Sequence, residues 1–237
     1  GSGKTEIYMR ITEDQLLNKK SCLILAPEIG LIPQLIDRFS ERFQNKVYEY
    51  HSSCSSRHRT LVWKKLIKED EPIIVIGTRS AVFLPIQNLG LIIMDEEHDV
   101  SYKQDSTMPC YDARDVALER AKRNPLKLIF GSATPSMRTW KRSVFENNLR
   151  LLRMKERISR AEIPEIKIVD MRDEFKQGNT KIFCSELLQL ISQLRSNNEQ
   201  AIFLIPRRGY NGFLSCRNCG FIINCPNCDV PLSVHKG

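Results

Sequence analysis

No apolar run in the sequence approaches the about 18 residues of a membrane-spanning helix, so no segment is expected to cross a membrane. No internal repeat and no low-complexity segment is present, which excludes a solenoid or another repeat array. An initiating Met is also lacking, because residue 1 is Gly. We therefore expect the chain to be an internal piece of a longer protein, and targeting cannot be judged from this end.

The composition is that of an ordinary globular protein. The 237 residues are 41% hydrophobic and 27% charged, enough for one large or two modest domains with a substantial core. A net charge of +8 and an isoelectric point near 9.1 favour a polyanionic partner. Four cysteines are scattered singly, at Cys22, Cys54, Cys110 and Cys184, which indicates a reducing compartment.

Short apolar runs alternate with amphipathic stretches along the first part of the chain. The runs predict buried strands at 22–26, 73–76, 91–94 and 126–130. The amphipathic stretches predict helices at 33–43 and 112–123. Strands that are apolar on both faces and separated by helices indicate an α/β fold with a parallel sheet.

The basic segment 138–160 interrupts this alternation, and a second α/β pattern follows it. We predict a first domain at 1–145, a linker at 146–165, the start of a second domain at 166–212 and a cysteine-rich insertion at 213–237. Within the second domain, strands are predicted at 166–169 and 201–205 and a helix at 183–194. The alternative for the basic segment is a solvated charged surface.

The first five residues match the back half of a P-loop. Glycine lets backbone N–H groups approach a phosphate chain, and the N-terminus of the following helix adds a positive dipole. Lys4 is expected to reach the β- and γ-phosphates of ATP, and the Thr5 hydroxyl to bind Mg²⁺. The nucleotide-binding set is Gly1, Ser2, Gly3, Lys4, Thr5 and Asp95. A chance glycine-rich loop is the alternative.

The apolar run 91–94 leads directly into Asp95-Glu96-Glu97-His98, the pattern of a Walker B site. Asp95 at the strand end is expected to hold Mg²⁺, and Glu96 to polarise the attacking water. The predicted catalytic residues are therefore Lys4, Asp95 and Glu96. An acidic surface turn is the alternative, and it fits poorly about 90 residues after a P-loop.

A third motif, Gly131-Ser132-Ala133-Thr134, follows the next apolar run. In the order P-loop, DEEH and GSAT, it matches the third motif of superfamily 2 helicases, whose lobes are RecA-like. Its hydroxyl groups can relay between a nucleotide site and a nucleic-acid site. The residues expected to couple the two are Glu97, His98, Ser132 and Thr134.

Two CxxC pairs stand close together near the end of the chain. They are expected to bind metal rather than form disulfides, through Cys216, Cys219, Cys225 and Cys228. One zinc ion held by all four is the simplest arrangement, although five residues between the pairs is a tight spacing. His235 is an alternative ligand, and a redox role has no thioredoxin-like context.

Several segments together resemble the PriA family of replication-restart DNA helicases. The resemblance covers essentially the whole chain, and it rests on 27–31, 76–81, 95–104, 111–115, 206–210 and 216–228. It implies a 3′-to-5′ DNA helicase that uses ATP and Mg²⁺ at stalled forks. Its implied partners are forked and single-stranded DNA and the primosome and replisome proteins, in a bacterial cytoplasm or an equivalent organelle.

The expected DNA contacts lie in two loops. Past the strand 73–76, a phosphate backbone is expected to meet Thr78, Arg79 and Ser80. The polar loop after the Walker B site offers a further set, Tyr102, Lys103, Tyr111 and Arg114, with the rings as stacking surfaces. The alternatives are an internal salt bridge for Arg79 and core packing for the tyrosines. This chain has Cys110 where the family often has Arg, so a DNA contact of that Arg would be absent.

The resemblance also changes the expected zinc chemistry. In the family, two zinc ions sit in an insertion of the second lobe, and each CxxC pair here would supply half of one site. The resemblance places the arginine finger and a DNA-binding region outside this chain, so the piece alone is not expected to unwind DNA. The alternatives are a zinc-containing nucleic-acid-binding module with a relic P-loop, or another superfamily 2 motor.

Overall fold

The computed structural model describes residues 3–68, 71–146, 148–154, 164–204, 216, 219–228 and 232. The chain divides into two compact units, Gly1–Ala161 and Glu162–Gly237. This division falls inside the segment predicted as a linker, and the predicted domain bounds remain a prediction. Within the described residues, no helix is long and apolar enough to cross a membrane.

The first unit is built on a five-stranded sheet with the order β2-β3-β1-β4-β7. All its neighbouring strands are parallel. The strands are β1 (Ser21–Leu25), β2 (Val47–Tyr50), β3 (Ile74–Gly77), β4 (Leu89–Met94) and β7 (Lys127–Phe130). The predicted parallel α/β fold is therefore confirmed.

Helices cover both faces of this sheet. They are α1 (Lys4–Leu17), α2 (Ile32–Phe43), α3 (Ser56–Lys68), α4 (Ala113–Arg123) and α5 (Met137–Val144). On one face, residues of α1 and α2 such as Tyr8 and Phe39 pack against the sheet. On the other, residues of α3 and α4 such as Leu66 and Ala117 do the same. Every residue of β1 and β3 is buried, because each of these strands is covered on both faces.

A small antiparallel pair lies beside the main sheet. It joins β5 (Lys103–Gln104) to β6 (Tyr111–Asp112), with Lys103 opposite Asp112. The pair leads into α4, whose N-terminus is capped by the Asp112 carboxylate accepting from the Arg114 N–H.

The second unit contains α6 (Met171–Lys176) and α7 (Ser185–Ser196), so the helix predicted at 183–194 is confirmed. The strands predicted at 166–169 and 201–205 are wrong in their described part, because 166–169 and 201–204 are not strands. Ile202 is 99% exposed. A strand needs a hydrogen-bonded neighbour to satisfy its backbone, and the described residues of this unit contain no extended ladder. A second RecA-like lobe therefore remains a prediction.

Candidate nucleotide-binding site

The predicted motor motifs meet at one edge of the parallel sheet. The loop after β4 begins with the Asp95 N–H donating to the Leu25 carbonyl at 2.9 Å. The loop after β7 begins with the Gly131 N–H donating to the Met94 carbonyl at 2.9 Å. Because parallel strands end at the same edge, the acidic motif and the GSAT motif lie side by side.

The P-loop end precedes α1. Gly3 has a φ of 86°, the left-handed conformation that glycine adopts without strain, and its carbonyl accepts the first helical hydrogen bonds from Glu6 and Ile7. Lys4 and Thr5 are the first two residues of α1, where the helix dipole is positive. Gly1 and Ser2 lie outside the described residues.

Lys4 contacts both carboxylates of the Walker B motif. Its Nζ lies 2.5 Å from Glu96 Oε1 and 3.7 Å from Asp95 Oδ1. Glu96 has a φ of 44°, a left-handed conformation that costs an ordinary residue about 1–2 kcal/mol. Strain of this kind is typical of functional positions, and the predicted catalytic residues Lys4, Asp95 and Glu96 are brought together here.

Tyr8 is a site residue that the sequence prediction missed. Its hydroxyl donates to Asp95 Oδ1 at 2.9 Å. Burial and the adjacent Asp95 charge raise the pKa of Tyr8, so the phenol stays protonated and donates. Its position one helical turn after Lys4 was the available signal, since residues four apart share a helix face.

Gly131 of the GSAT motif lies directly against this phenol. A Cβ added at Gly131 would come within 1.6 Å of the Tyr8 hydroxyl oxygen and 2.8 Å of Cζ. No side chain fits at that distance, so the close approach of Tyr8 explains the glycine.

The second glutamate of the motif, Glu97, is 1% exposed. Its Oε1 accepts from the Ser136 N–H at 2.7 Å, and its Oε2 accepts from the hydroxyls of Ser136 at 3.1 Å and Thr139 at 2.9 Å. Its own N–H donates to the Gly131 carbonyl at 3.0 Å. The carboxylate therefore holds the N-terminus of α5 against the acidic motif.

The other predicted coupling residues also meet. His98 Nδ1 lies 2.7 Å from Ser132 Oγ and 3.6 Å from a carboxylate oxygen of Glu96. The Ser132 Oγ accepts from the Thr134 N–H at 3.0 Å. A continuous polar path thus runs from Glu96 to the GSAT loop, and its coupling role remains a prediction.

Tyr102 was predicted to stack on DNA, and this is wrong for the structure described. The side chain is completely buried. Its hydroxyl oxygen lies 2.8 Å from the Leu25 carbonyl and 2.7 Å from the Asp95 carbonyl, so it bridges the ends of β1 and β4. A base cannot reach a ring with no exposed surface, and the alternative of core packing holds.

Arg114 is bound internally in this structure, and its DNA-binding role remains a prediction. Its Nε and Nη2 donate to the two carboxylate oxygens of Asp112 at 2.8 and 2.9 Å, and its Nη1 donates to the Glu97 carbonyl at 2.8 Å. Burial raises the pKa of Asp112, but the hydrogen bonds and charge of Arg114 outweigh it and leave the pKa lowered. The guanidinium fastens α4 to the acidic motif.

Arg79 holds the loop that follows Tyr102. Its guanidinium donates to the main-chain carbonyls of Ser101 at 3.1 Å and Lys103 at 2.8 Å, and to the Gln104 side-chain oxygen at 3.0 Å. These oxygens are uncharged, so they leave its positive charge unneutralised. The alternative of an internal salt bridge does not describe these contacts.

The remaining predicted DNA contacts are accessible. Ser80 and Lys103 are exposed, and Thr78 is half-buried. Tyr111 is half-buried, and its ring meets that of Phe83 edge to face at 4.8 Å. Phe83, which the sequence prediction missed, is 52% exposed. Their DNA-binding roles remain predictions.

The cysteine-rich segment forms turns typical of metal knuckles. The Gly220 N–H donates to the Cys216 carbonyl at 2.8 Å, and Gly220 has a φ of 77°. Hydrogen bonds from the Asn227 backbone and the Cys228 thiol lower the pKa of Cys225, which favours the thiolate.

Within the described residues, no three of the thiols of Cys216, Cys219, Cys225 and Cys228 are grouped closely enough to hold one metal ion. One complete zinc site and two half-sites both remain predictions. His235 lies outside the described residues.

Comparison with known proteins agrees with the motifs. The DEAD/DEAH box helicase family model matches residues 1–143. Replication restart protein PriA of Synechocystis sp. is 49% identical over 238 residues, which cover 99% of this chain and 28% of that protein. The PriA of Bacillus subtilis is 41% identical over 239 residues, which cover 100% of this chain and 29% of that protein.

The resemblance to PriA inferred from the motifs is therefore confirmed over the whole chain, although the chain spans under 30% of the length of these two relatives. Among solved structures, RecG bound to a three-way DNA junction is 17% identical with a TM-score of 0.45. The match covers 84% of this chain and 27% of the RecG chain. It is too distant to support an argument about function.

Proposed function

The chain belongs to the DEAD/DEAH box helicase family, and on that basis we propose that it is part of an ATP-driven 3′-to-5′ DNA helicase that restarts stalled replication forks. The similarity to replication restart proteins supports the restart role. Forked and single-stranded DNA as substrates, and primosome and replisome proteins as partners, complete the proposal. The contact of Lys4 with Glu96 and Asp95 is the observation that carries the motor assignment.

ATP and Mg²⁺ fit the groups at the sheet edge. A triphosphate needs a cation and helix-terminal N–H groups, which Lys4 and the start of α1 supply. A hard divalent cation needs oxygen ligands, which the Thr5 hydroxyl and the Asp95 carboxylate supply, and when bound it neutralises charge on the phosphates.

Nucleotide binding then redistributes the contacts of Lys4. Its Nζ leaves Glu96 for phosphate oxygens, and Glu96 is released to accept a proton from the attacking water. Tyr8 keeps Asp95 oriented through its 2.9 Å hydrogen bond. The path from Glu96 through His98 to Ser132 couples this exchange to the rest of the motor.

DNA contacts Thr78 and Ser80 after β3, Lys103 in β5, and the ring pair of Phe83 and Tyr111. Arg79 acts on DNA through its unneutralised charge and by shaping the loop that carries Lys103. In the intact protein, each CxxC pair supplies half of the ligands of one zinc site.

The decisive measurement is the ATPase rate of the full-length protein with and without single-stranded DNA. We expect DNA-stimulated hydrolysis that falls at least about 100-fold in Lys4→Ala, since Lys4 is the phosphate-binding cation. Lys46→Ala, an exposed lysine away from the motifs, is the matched control and should hydrolyse normally.

Equal rates in the two variants would remove Lys4 from the site. Absence of hydrolysis together with zinc-dependent DNA binding would instead establish the binding module with a relic P-loop. The 237-residue chain alone should show no strand separation, and unwinding by it would contradict the need for a second lobe.

A further inference from the structure

A second cluster of metal-ligating side chains lies where β2 passes into α3. One ligand atom each from Glu49, Cys54 and His58 lies within 4.8 Å of the other two. His51 stands beside them, with Nε2 3.5 Å from Glu49 Oε2. We propose that this cluster is a structural site for a divalent transition metal, with Zn²⁺ as the preferred ion, separate from the CxxC pairs.

The local chain geometry brings these residues together. Glu49 and His51 are two residues apart at the end of β2, so they lie on the same side of the strand. The Cys54 N–H donates to the His51 carbonyl at 3.1 Å, which turns the chain back. The His58 N–H donates to Ser55 Oγ at 3.1 Å, which caps the start of α3 and fixes His58 in its first turn.

The donor set suits zinc. A thiolate, an imidazole and a carboxylate bind Zn²⁺ at about 2.0–2.3 Å, which places tetrahedral ligand atoms roughly 3.6 Å apart. The observed spread of up to 4.8 Å therefore closes by about 1 Å through side-chain rotation. One thiolate from Cys54 and one carboxylate from Glu49 neutralise the two charges of the ion.

Supporting contacts of the kind that metal-ligating groups use are also present. His58 Nε2 lies 3.3 Å from the Glu49 carbonyl oxygen, and the tautomer that donates there keeps its lone pair on Nδ1. His51 contacts the Glu49 carboxylate and orients it in the same way.

An unsatisfied polar atom gives independent support. Three buried side-chain nitrogen or oxygen atoms among the described residues have no hydrogen-bond partner, and one of them is His51 Nδ1. His51 is only 9% exposed. Buried polar atoms without partners are rare, and a ring nitrogen with no partner in the protein can be satisfied by a further group such as a bound ion.

The site would tie the outermost strand of the sheet to its neighbouring helix. The proposal is independent of the motor function, because none of its ligands touches the nucleotide site. The strands β2 and β3 pair at Tyr50 and Gly77, so the metal would secure the strand next to the loop that starts at Thr78.

The test first removes the four thiols of the CxxC pairs. In a chain with Cys216, Cys219, Cys225 and Cys228 all replaced by Ser, we expect one zinc ion per chain by elemental analysis after dialysis. Cys54→Ser or His58→Gln in that background should abolish the bound zinc. Cys110→Ser, an exposed thiol elsewhere, should leave it unchanged.

Cobalt(II) provides a second measurement. It should give a thiolate-to-metal charge-transfer band that disappears in Cys54→Ser and persists in Cys110→Ser, while circular dichroism shows that each variant is folded. If Cys54→Ser does not fold, the charge-transfer band is compared in His58→Gln and Glu49→Gln. Each of these substitutions removes one proposed ligand and should therefore weaken the band. No zinc in the background chain, or equal loss in Cys54→Ser and Cys110→Ser, would overturn the proposal.

Discussion

Glu97→Ala is expected to lower the free energy of unfolding of the first unit by about 3 kcal/mol. The carboxylate has three hydrogen-bond donors, all at the N-terminus of α5. Its removal leaves the Ser136 N–H, the Ser136 hydroxyl and the Thr139 hydroxyl without this acceptor. It also removes a negative charge from the positive end of a helix dipole.

The magnitude comes from these contacts. Hydrogen bonds to a charged group contribute about 1.5–3 kcal/mol each, but they are not additive, and water replaces part of them because Ser136 and Thr139 are only half-buried. Loss of a helix cap costs about 0.5–2 kcal/mol and the dipole contact about 0.3–1 kcal/mol. Glu97→Gln keeps one oxygen acceptor, so we expect it to lose about half as much as Glu97→Ala.

Urea unfolding measures the change with a local reporter. Trp140 lies in α5 itself, and the only other tryptophan is Trp63 in α3. Fluorescence in a Trp63→Phe background therefore follows α5, and far-ultraviolet circular dichroism follows the whole chain. Glu119→Ala is the control, because its pair with Arg123 is exposed to solvent and contributes little to stability. If Glu97→Ala shifts the transition no more than this control, the capping argument is wrong.

Three further changes test other parts of the site. Tyr102→Phe should lower the free energy of unfolding in urea by about 1–2 kcal/mol, because its hydroxyl bridges the Leu25 and Asp95 carbonyls. An unchanged unfolding midpoint would refute this bridging role. The pKa of Asp112 is lowered from 3.8 by Arg114, so their stabilisation is complete above pH 3.8 and is lost as pH falls through the lowered pKa. Asp112→Asn should remove this dependence from a series of unfolding midpoints at decreasing pH, and an unchanged series would refute the pairing. Gly131→Ala should cost about 1–3 kcal/mol in thermal unfolding, because its Cβ would meet Tyr8. Tyr8→Phe should partly rescue it, and no rescue would place the strain elsewhere.

The sheet was predictable where burial is complete. The apolar runs in β1, β3 and β4 have no polar face, and this pattern alone predicts strands of a parallel sheet. The strand β2 was missed because it is short, half-buried and contains Glu49. The helix α3 was missed because its charged residues obscure the few buried positions, such as Val62 and Leu66.

The residues of the nucleotide-binding site could be predicted where the topology of the sheet brings them together. Lys4, Asp95 and Glu96 converge because parallel strands deliver their following loops to one edge. The burial of Tyr102 and the internal contacts of Arg114 could not be predicted in this way. Residue type indicates which bonds a side chain can form, but only packing decides whether solvent or DNA reaches it.

The order of the strands also governs how the chain can fold as it leaves the ribosome. The central strand β1 pairs with β3 and β4, whereas β2, the next strand to be synthesised, pairs among the described strands only with β3. Neither β1 nor β2 can therefore complete its ladder until residues 74–77 have emerged, and β1 waits further for 89–94. During that interval the apolar segment at 22–25 lacks both of its neighbouring strands, and an unpaired apolar strand of this kind favours aggregation.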